Sequence, residues 1–159
     1  MADNRVERTL VLLKPDAVAR GLVGEIIARL ERKGLDLVAL KMLSLPASDA
    51  EAHYAEHRGK PFYDGLLRFI TSGPLVALVL EGVACVATVR ALVGSTCARD
   101  ATPGTIRGDF GMSGRFNLVH ASDSVEAAER EIARFFTPGE IVAPLETPWI
   151  YDRSDGQPI

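Results

Sequence analysis

Gly73-Pro74-Leu75-Val76-Ala77-Leu78-Val79-Leu80 is the stretch that decides the fold. From Leu75 to Leu80 neither of the two alternating side-chain sets contains a polar residue, so a strand here needs cover on both faces. It is the expected central strand. Upstream, Thr9-Leu10-Val11-Leu12-Leu13 is a second apolar, β-favouring run, and Pro15, just after Lys14, forbids its continuation as a central strand. Val23, Ile26, Ile27 and Leu30 fall on one stripe of an amphipathic helix running roughly from Gly21 to Lys33, with Gly34 ending it. Leu35 to Leu45 reads as the next strand, closed by Pro46. Ser48 or Asp49 then caps a short helix carrying His53, Tyr54 and His57, and Pro61 opens another short helix.

Downstream of the central strand, Val83, Val86, Val89 and Leu92 mark a helix ending at Gly94. The segment from Ser95 to Arg115, with Pro103 and glycines at 104, 108, 111 and 114, reads as a long loop, and structureless loops of this length are usually functional. Asn117-Leu118-Val119-His120 is a candidate short strand. Asp123 and Glu126 make a capping-box-like start to a last helix that gathers Val125, Ala128, Ile132, Phe135 and Phe136 on one side. The order strand, helix, strand, helices, strand, helix, strand, helix predicts an α+β sandwich of the split βαβ, or ferredoxin-like, kind: a four-stranded antiparallel sheet covered by helices.

The 159 residues, 47% hydrophobic and 25% charged, suit one domain over 1–159, with the polar stretch 153–159 as a loose C-terminal tail. A net charge of −3 gives no global attraction to nucleic acid or to an acidic membrane. The charged N-terminus lacks an apolar export region, and no later stretch is long and apolar enough to cross a bilayer. Cys85 and Cys97 have neither metal-site nor redox-motif spacing, so the expected location is the reducing cytoplasm.

Against that acidic background, Arg90, Arg99, Arg107 and Arg115 face only Asp100 and Asp109 across their shared segment. Arginine forks grip phosphate oxygens bidentately, and neighbouring glycines let backbone N–H groups approach an anion, so this segment points to a phosphate-bearing ligand. His120 closes an apolar segment just before a helix start. Glu131 lies between the helical positions of Ala128 and Phe135, where a carboxylate pointing partly inward needs a partner. An imidazole nucleophile needs one unprotonated nitrogen, and a carboxylate on the other ring N–H fixes that tautomer.

Lys14-Pro15-Asp16, Tyr54, Pro61-Phe62, Ser72-Gly73-Pro74, Pro103-Gly104-Thr105-Ile106-Arg107 and Asn117-x-x-His120-Ala121-Ser122-Asp123 together resemble the nucleoside diphosphate kinases, in order and over nearly the whole chain. The resemblance implies a ferredoxin-like fold and a ping-pong reaction. His120 takes the γ-phosphate of a nucleoside triphosphate and passes it to a nucleoside diphosphate, with broad base specificity. It makes Glu131 the histidine-orienting carboxylate, with Ser122 and Tyr54 close by. Arg90, Thr96 and Arg107 become phosphate contacts, and Phe62 the residue that stacks on the base. Lys14 and Asn117 become the pair on the sugar hydroxyls and on the oxygens near the transferred phosphate. It also implies a homo-oligomer, a hexamer in preference to a tetramer or dimer, with the Ser95 to Arg115 loop and the C-terminal tail as contact surfaces.

No G-x-x-x-x-G-K-[ST] loop occurs, so side chains must hold the phosphates, and Mg²⁺ is expected to arrive on the nucleotide without dedicated protein ligands. His53 and His57, four apart, lack the H-E-x-x-H pattern and are not expected to bind metal. Two positions depart from the family pattern. Phe116 separates Arg115 from Asn117, which leaves Arg115 outside the expected site, and Ala121 stands where glycine is usual, a strained choice if that position needs a positive φ but one that alanine, being small, is expected to tolerate. Arg107-Gly108-Asp109-Phe110-Gly111 faintly echoes an RNA-recognition signature, but Asp109 stands where an aromatic residue should stack a base.

Overall fold

The structure, a computed structural model, describes residues 5–145. The expected tail at 153–159 lies outside the described residues. In chain order the elements are β1 (Val6–Leu13), α1 (Pro15–Ala19), α2 (Val23–Arg32), β2 (Asp36–Ser44), α3 (Ala47–His53), α4 (Tyr63–Ile70), β3 (Pro74–Val83), α5 (Cys85–Val93), α6 (Ile106–Phe110), β4 (Val119–Ala121) and α7 (Val125–Phe135). Short 3₁₀ turns occupy Ala55–His57, Ala98–Asp100 and Pro138–Glu140.

The four strands form one sheet in the order β2-β3-β1-β4, and every neighbouring pair is antiparallel. β1 and β2 therefore run parallel on either side of β3, and β3 and β4 run parallel on either side of β1. These are two interlocked split βαβ units, the ferredoxin-like arrangement. β3 is covered on both faces, as its uniform apolarity requires: residues Leu75 to Leu80 are all buried.

Strand alternation sorts the core into two layers. Val11, Leu13, Val76, Leu78, Val119 and Ala121 meet Ala17, Ile26, Leu30, Val89, Val93 and Ile106 from α1, α2, α5 and α6. Leu10, Leu12, Ala77 and Val79 meet Ala50, Tyr63, Ile70, Ile132 and Phe135 from α3, α4 and α7. A bulge at Val38, between Leu37 and Ala39, lets β2 present Val38 and Ala39 to the second layer together. Among the described residues no helix is long and apolar enough to cross a membrane.

Several local expectations are corrected. Pro15 does more than stop β1: it sits at the first turn of α1, where its missing N–H costs nothing, and the expected first helix begins later, at Val23. Pro61 precedes α4 without opening it; Phe62 is the capping position. The supposed loop from Ser95 to Arg115 contains α6, whose cap Thr105 accepts a hydrogen bond from the Gly108 N–H. α7 is capped by Ser124, whose hydroxyl accepts from the Ala127 N–H at 3.1 Å, and Asp123 and Glu126 form no box. The expectation for Ala121 holds: the residue lies in β4 outside the left-handed region, so alanine is tolerated there, and Leu118 carries a left-handed conformation nearby, at φ 71°.

Candidate active site

β4 is short, and its register with β1 orients the site histidine. His120 pairs with Leu12 across the sheet and lies between Val119 and Ala121, which point into the first core layer. Alternation turns His120 to the opposite face, toward α7 and α3. There the Glu131 carboxylate accepts from His120 Nε2 at 2.9 Å, and the same oxygen accepts from the Ser122 hydroxyl at 2.6 Å. Burial alone would raise the Glu131 pKa, but hydrogen bonding and charge from His120, with the Ser122 hydroxyl, hold it down at about 2. A carboxylate accepts only, so Nε2 carries the proton and Nδ1 keeps its lone pair.

Two rings hold this imidazole edge-on. His53 lies 4.6 Å away between centroids and Tyr54 6.1 Å away. His53 is buried and neutral, its pKa pushed down to about 3 by burial and then by the neighbouring His120 charge. Burial pushes the Tyr54 phenol up, and its hydroxyl has no hydrogen-bond partner among the described residues.

Lys14 ends β1 and caps α1. Its backbone N–H donates to Leu118 O at 2.8 Å, and the Leu118 N–H donates to the Asp16 carboxylate at 3.1 Å, which holds Leu118 in its left-handed turn. That turn aims Asn117 so that its side-chain oxygen accepts from Lys14 Nζ at 2.6 Å. The Asn117 amide in turn donates to Thr96 O at 2.8 Å and Gly114 O at 3.1 Å. Burial, then the Arg107 charge, lowers Lys14 to about 8, with Asp16 opposing.

Arg107 is buried and donates to Asn117 O at 3.1 Å, Gly94 O at 3.1 Å and Val119 O at 2.5 Å. Three of a guanidinium's five N–H groups are thus spent on backbone, leaving two for a ligand. Its pKa, lowered to about 10 by burial and then by Arg90, leaves it charged at neutral pH. Gly94 makes this possible: at φ 89° it ends α5, and a Cβ there would meet Thr105 Oγ1 at 2.5 Å. Arg90 donates to Ala121 O at 3.4 Å.

These groups line one cavity of about 700 Å³. Lys14, Tyr54, Phe62, Arg90, Thr96, Arg107, Asn117, His120 and Glu131, all expected from the sequence, border it together; Ser122 lies behind Glu131. Six basic side chains face three carboxylates in its wall, a surplus of three positive charges in an acidic protein. Phe62 is 44% exposed, and the His57 ring lies edge-on to it at 5.4 Å.

Four lining residues escaped the sequence reading: His53 as a neighbour of His120, and Arg115, Arg130 and Arg134 as cations of the cavity. The signal for Arg134 was present, since it stands three positions after Glu131 on one helix face. Arg99, counted with the cationic segment, does not line the cavity. His53 does not pair with His57; instead His53, His120 and Glu131 bring three potential metal donors within 4.8 Å of one another. That nitrogen-rich set suits zinc better than magnesium, and Glu131 is already engaged by His120 and Ser122. Asp109 bonds the Gly104 N–H at 2.7 Å and Arg29 at 2.6 Å, a structural role that removes the RNA-recognition echo.

The family model for nucleoside diphosphate kinase matches residues 7–141. A nucleoside diphosphate kinase of Archaeoglobus fulgidus is 57% identical over 149 residues, covering 92% of this chain and 99% of its own. One from Rhodococcus opacus is 64% identical over 131 residues, covering 82% and 94%. Among solved structures, the halophilic nucleoside diphosphate kinase of Halobacterium salinarum in complex with CDP superposes with a TM-score of 0.89 at 50% identity, covering 93% of this chain and all of that one. The chain belongs to the nucleoside diphosphate kinase family.

Proposed function

We propose that this chain, acting as a single domain, moves the γ-phosphate of a nucleoside triphosphate to a nucleoside diphosphate in two displacements through His120. The observation that carries the reading is the His120–Glu131 pair set in a cavity with surplus positive charge. In the first step Nδ1 attacks the γ-phosphorus in line, an N–P bond forms, and the bond to the β,γ-bridging oxygen breaks, releasing the nucleoside diphosphate. Glu131 balances the imidazolium charge that develops. In the second step a terminal oxygen of the acceptor diphosphate attacks, the N–P bond breaks, and neutral His120 returns.

Lys14 and the two free N–H groups of Arg107, with Arg90, stabilise the charge spread over the phosphoryl oxygens, which is most of what a loose transition state asks of a protein. Mg²⁺ belongs to the nucleotide substrate in this scheme. The cavity wall offers Glu56, Asp123 and Glu131 but no cluster of free carboxylates, and its basic surplus favours a metal arriving already bound to phosphate.

Phe62 supplies a face on which every base can stack, which supports broad specificity. Free thiols at Cys85 and Cys97 suit a cytoplasmic setting. A homo-oligomer, with the hexamer favoured, is the assembly we expect; the exposed apolar Leu40 and Met42 on the edge strand β2 offer surface for it, and light scattering decides the state.

The test is direct. Incubated with γ-labelled ATP and Mg²⁺, the protein acquires an acid-labile, alkali-stable phosphate that chases onto added GDP, and His120→Ala acquires none. Equal labelling of that variant overturns the assignment.

A further inference from the structure

The least expected cation in the cavity is Arg115. Its guanidinium lies flat over Gly65 in the first turn of α4: a Cβ there would meet Cζ at 3.0 Å, Nη1 at 3.0 Å and Nη2 at 3.2 Å. Gly65 is three residues beyond Phe62, and residues three apart share a helix face, so guanidinium and phenyl ring flank the same end of the cavity. His120, Arg90, Arg107 and Lys14 belong to the phosphate end of the proposed site.

The backbone beneath Arg115 is fixed. The N–H groups of Arg115 and Phe116 both donate to Ser113 Oγ, at 3.2 and 3.1 Å. The Phe116 ring meets Phe69 of α4 edge-on at 4.9 Å, and Gly114 O accepts from Asn117. A turn pinned from three sides holds out a guanidinium that makes no hydrogen bond or ion pair among the described residues. Ordering an unpaired arginine against a cavity wall has an entropic cost that a ligand can offset.

We infer that Arg115 is a base-reading residue that biases this site toward guanine nucleotides. The inference rests on the reading of the cavity as a nucleotide site with the base on Phe62. Arg115 and Phe62 line the same cavity, so a base stacked on Phe62 is taken to turn its polar edge toward the guanidinium seated on Gly65. Guanine offers the O6 and N7 acceptor pair that an arginine fork matches, adenine offers N7 beside a repelling amino group, and pyrimidines have no N7. Stacking keeps all bases acceptable, and Arg115 grades them.

The experiment is calorimetric binding of GDP, ADP and CDP to the full chain, wild type against Arg115→Ala and Gly65→Ala. The second variant adds a methyl group that displaces only the flexible end of Arg115, so it keeps the fold if the first does not. We expect wild type to prefer GDP, and Arg115→Ala to lose about fivefold or more for GDP and twofold or less for CDP. Gly65→Ala should narrow the GDP to CDP ratio in the same direction. Equal losses for all three bases, or unchanged ratios in both variants, overturn the inference. Transfer of label through His120 in the wild type tests the underlying reading separately, so a labelled protein without base preference removes Arg115 alone.

Discussion

Lys14 Nζ donates to the side-chain oxygen of Asn117 at 2.6 Å, joining the end of β1 to the turn that precedes β4 across 103 positions of sequence. An ammonium has three donors, so two remain beyond this bond, and Lys14 lines the cavity that His120 borders. Burial and the Arg107 charge bring its pKa down to about 8.

The sign of the resulting pH effect is fixed. The charged form, which holds phosphate in the proposed reaction, is lost as pH rises through about 8, so kcat/KM should fall on the alkaline side with an apparent pKa near that value. Lys14→Gln lowers kcat/KM at neutral pH and flattens that limb. A wild-type profile that stays level well beyond pH 8 would count against the role given to Lys14.

Glu131 holds His120 and shares its oxygen with Ser122. Glu131→Gln keeps the shape but removes the charge that balances the imidazolium in the proposed reaction, and kcat should fall roughly 100-fold or more. The carboxylate's folded pKa of about 2 lies below its ordinary 4.5. Its contribution to stability is therefore full above pH 4.5 and is lost as pH falls through about 2. Urea midpoints of wild type and Glu131→Gln measured at falling pH should converge across that window; a constant gap would show that the ionised pair does not stabilise the fold.

Phe62 is half exposed in the cavity wall, and a phenyl ring can offer a base stacking but no polar contact. Phe62→Ala should weaken ATP, GTP and CTP by similar factors, about tenfold each on the usual scale of base stacking. Competition binding with the three triphosphates reads this out, and a loss confined to one nucleotide would reject a purely stacking role.

Gly108 lies inside α6 where the chain approaches itself: a Cβ there would collide with the Thr102 carbonyl oxygen, which is backbone and cannot swing away. Gly108→Ala should destabilise the protein by about 1–3 kcal/mol, the usual range for overpacking. It should also lower activity, because α6 carries Arg107. An unaltered melting temperature would mean that the Thr102–Thr105 turn yields freely.

Much of this was legible because it is local. The apolar run at Leu75 to Leu80, the stripe of α2 and the helix after His120 are written in consecutive residues, and each formed an element there, with α2 starting at Val23 and α7 capped by Ser124. The short α1 and α6 were missed because five-residue helices carry too little periodicity to stand out from turns. Arg115 was set aside because Phe116 separates it from Asn117, and sequence does not say where a loop side chain then points. Only its seat on Gly65 brings it into the cavity.

The sequence by itself determined the order of elements, the two-faced burial of β3 and the motifs that carry the family. Propensity, periodicity and motif spacing are properties of neighbouring residues. The tertiary structure decided the rest: that β4 pairs with β1 in the register that sets His120 opposite Leu12, and so turns its ring toward Glu131. A shift of one residue would send that ring to the other face of the sheet, and register is settled by packing between distant segments that no local pattern encodes.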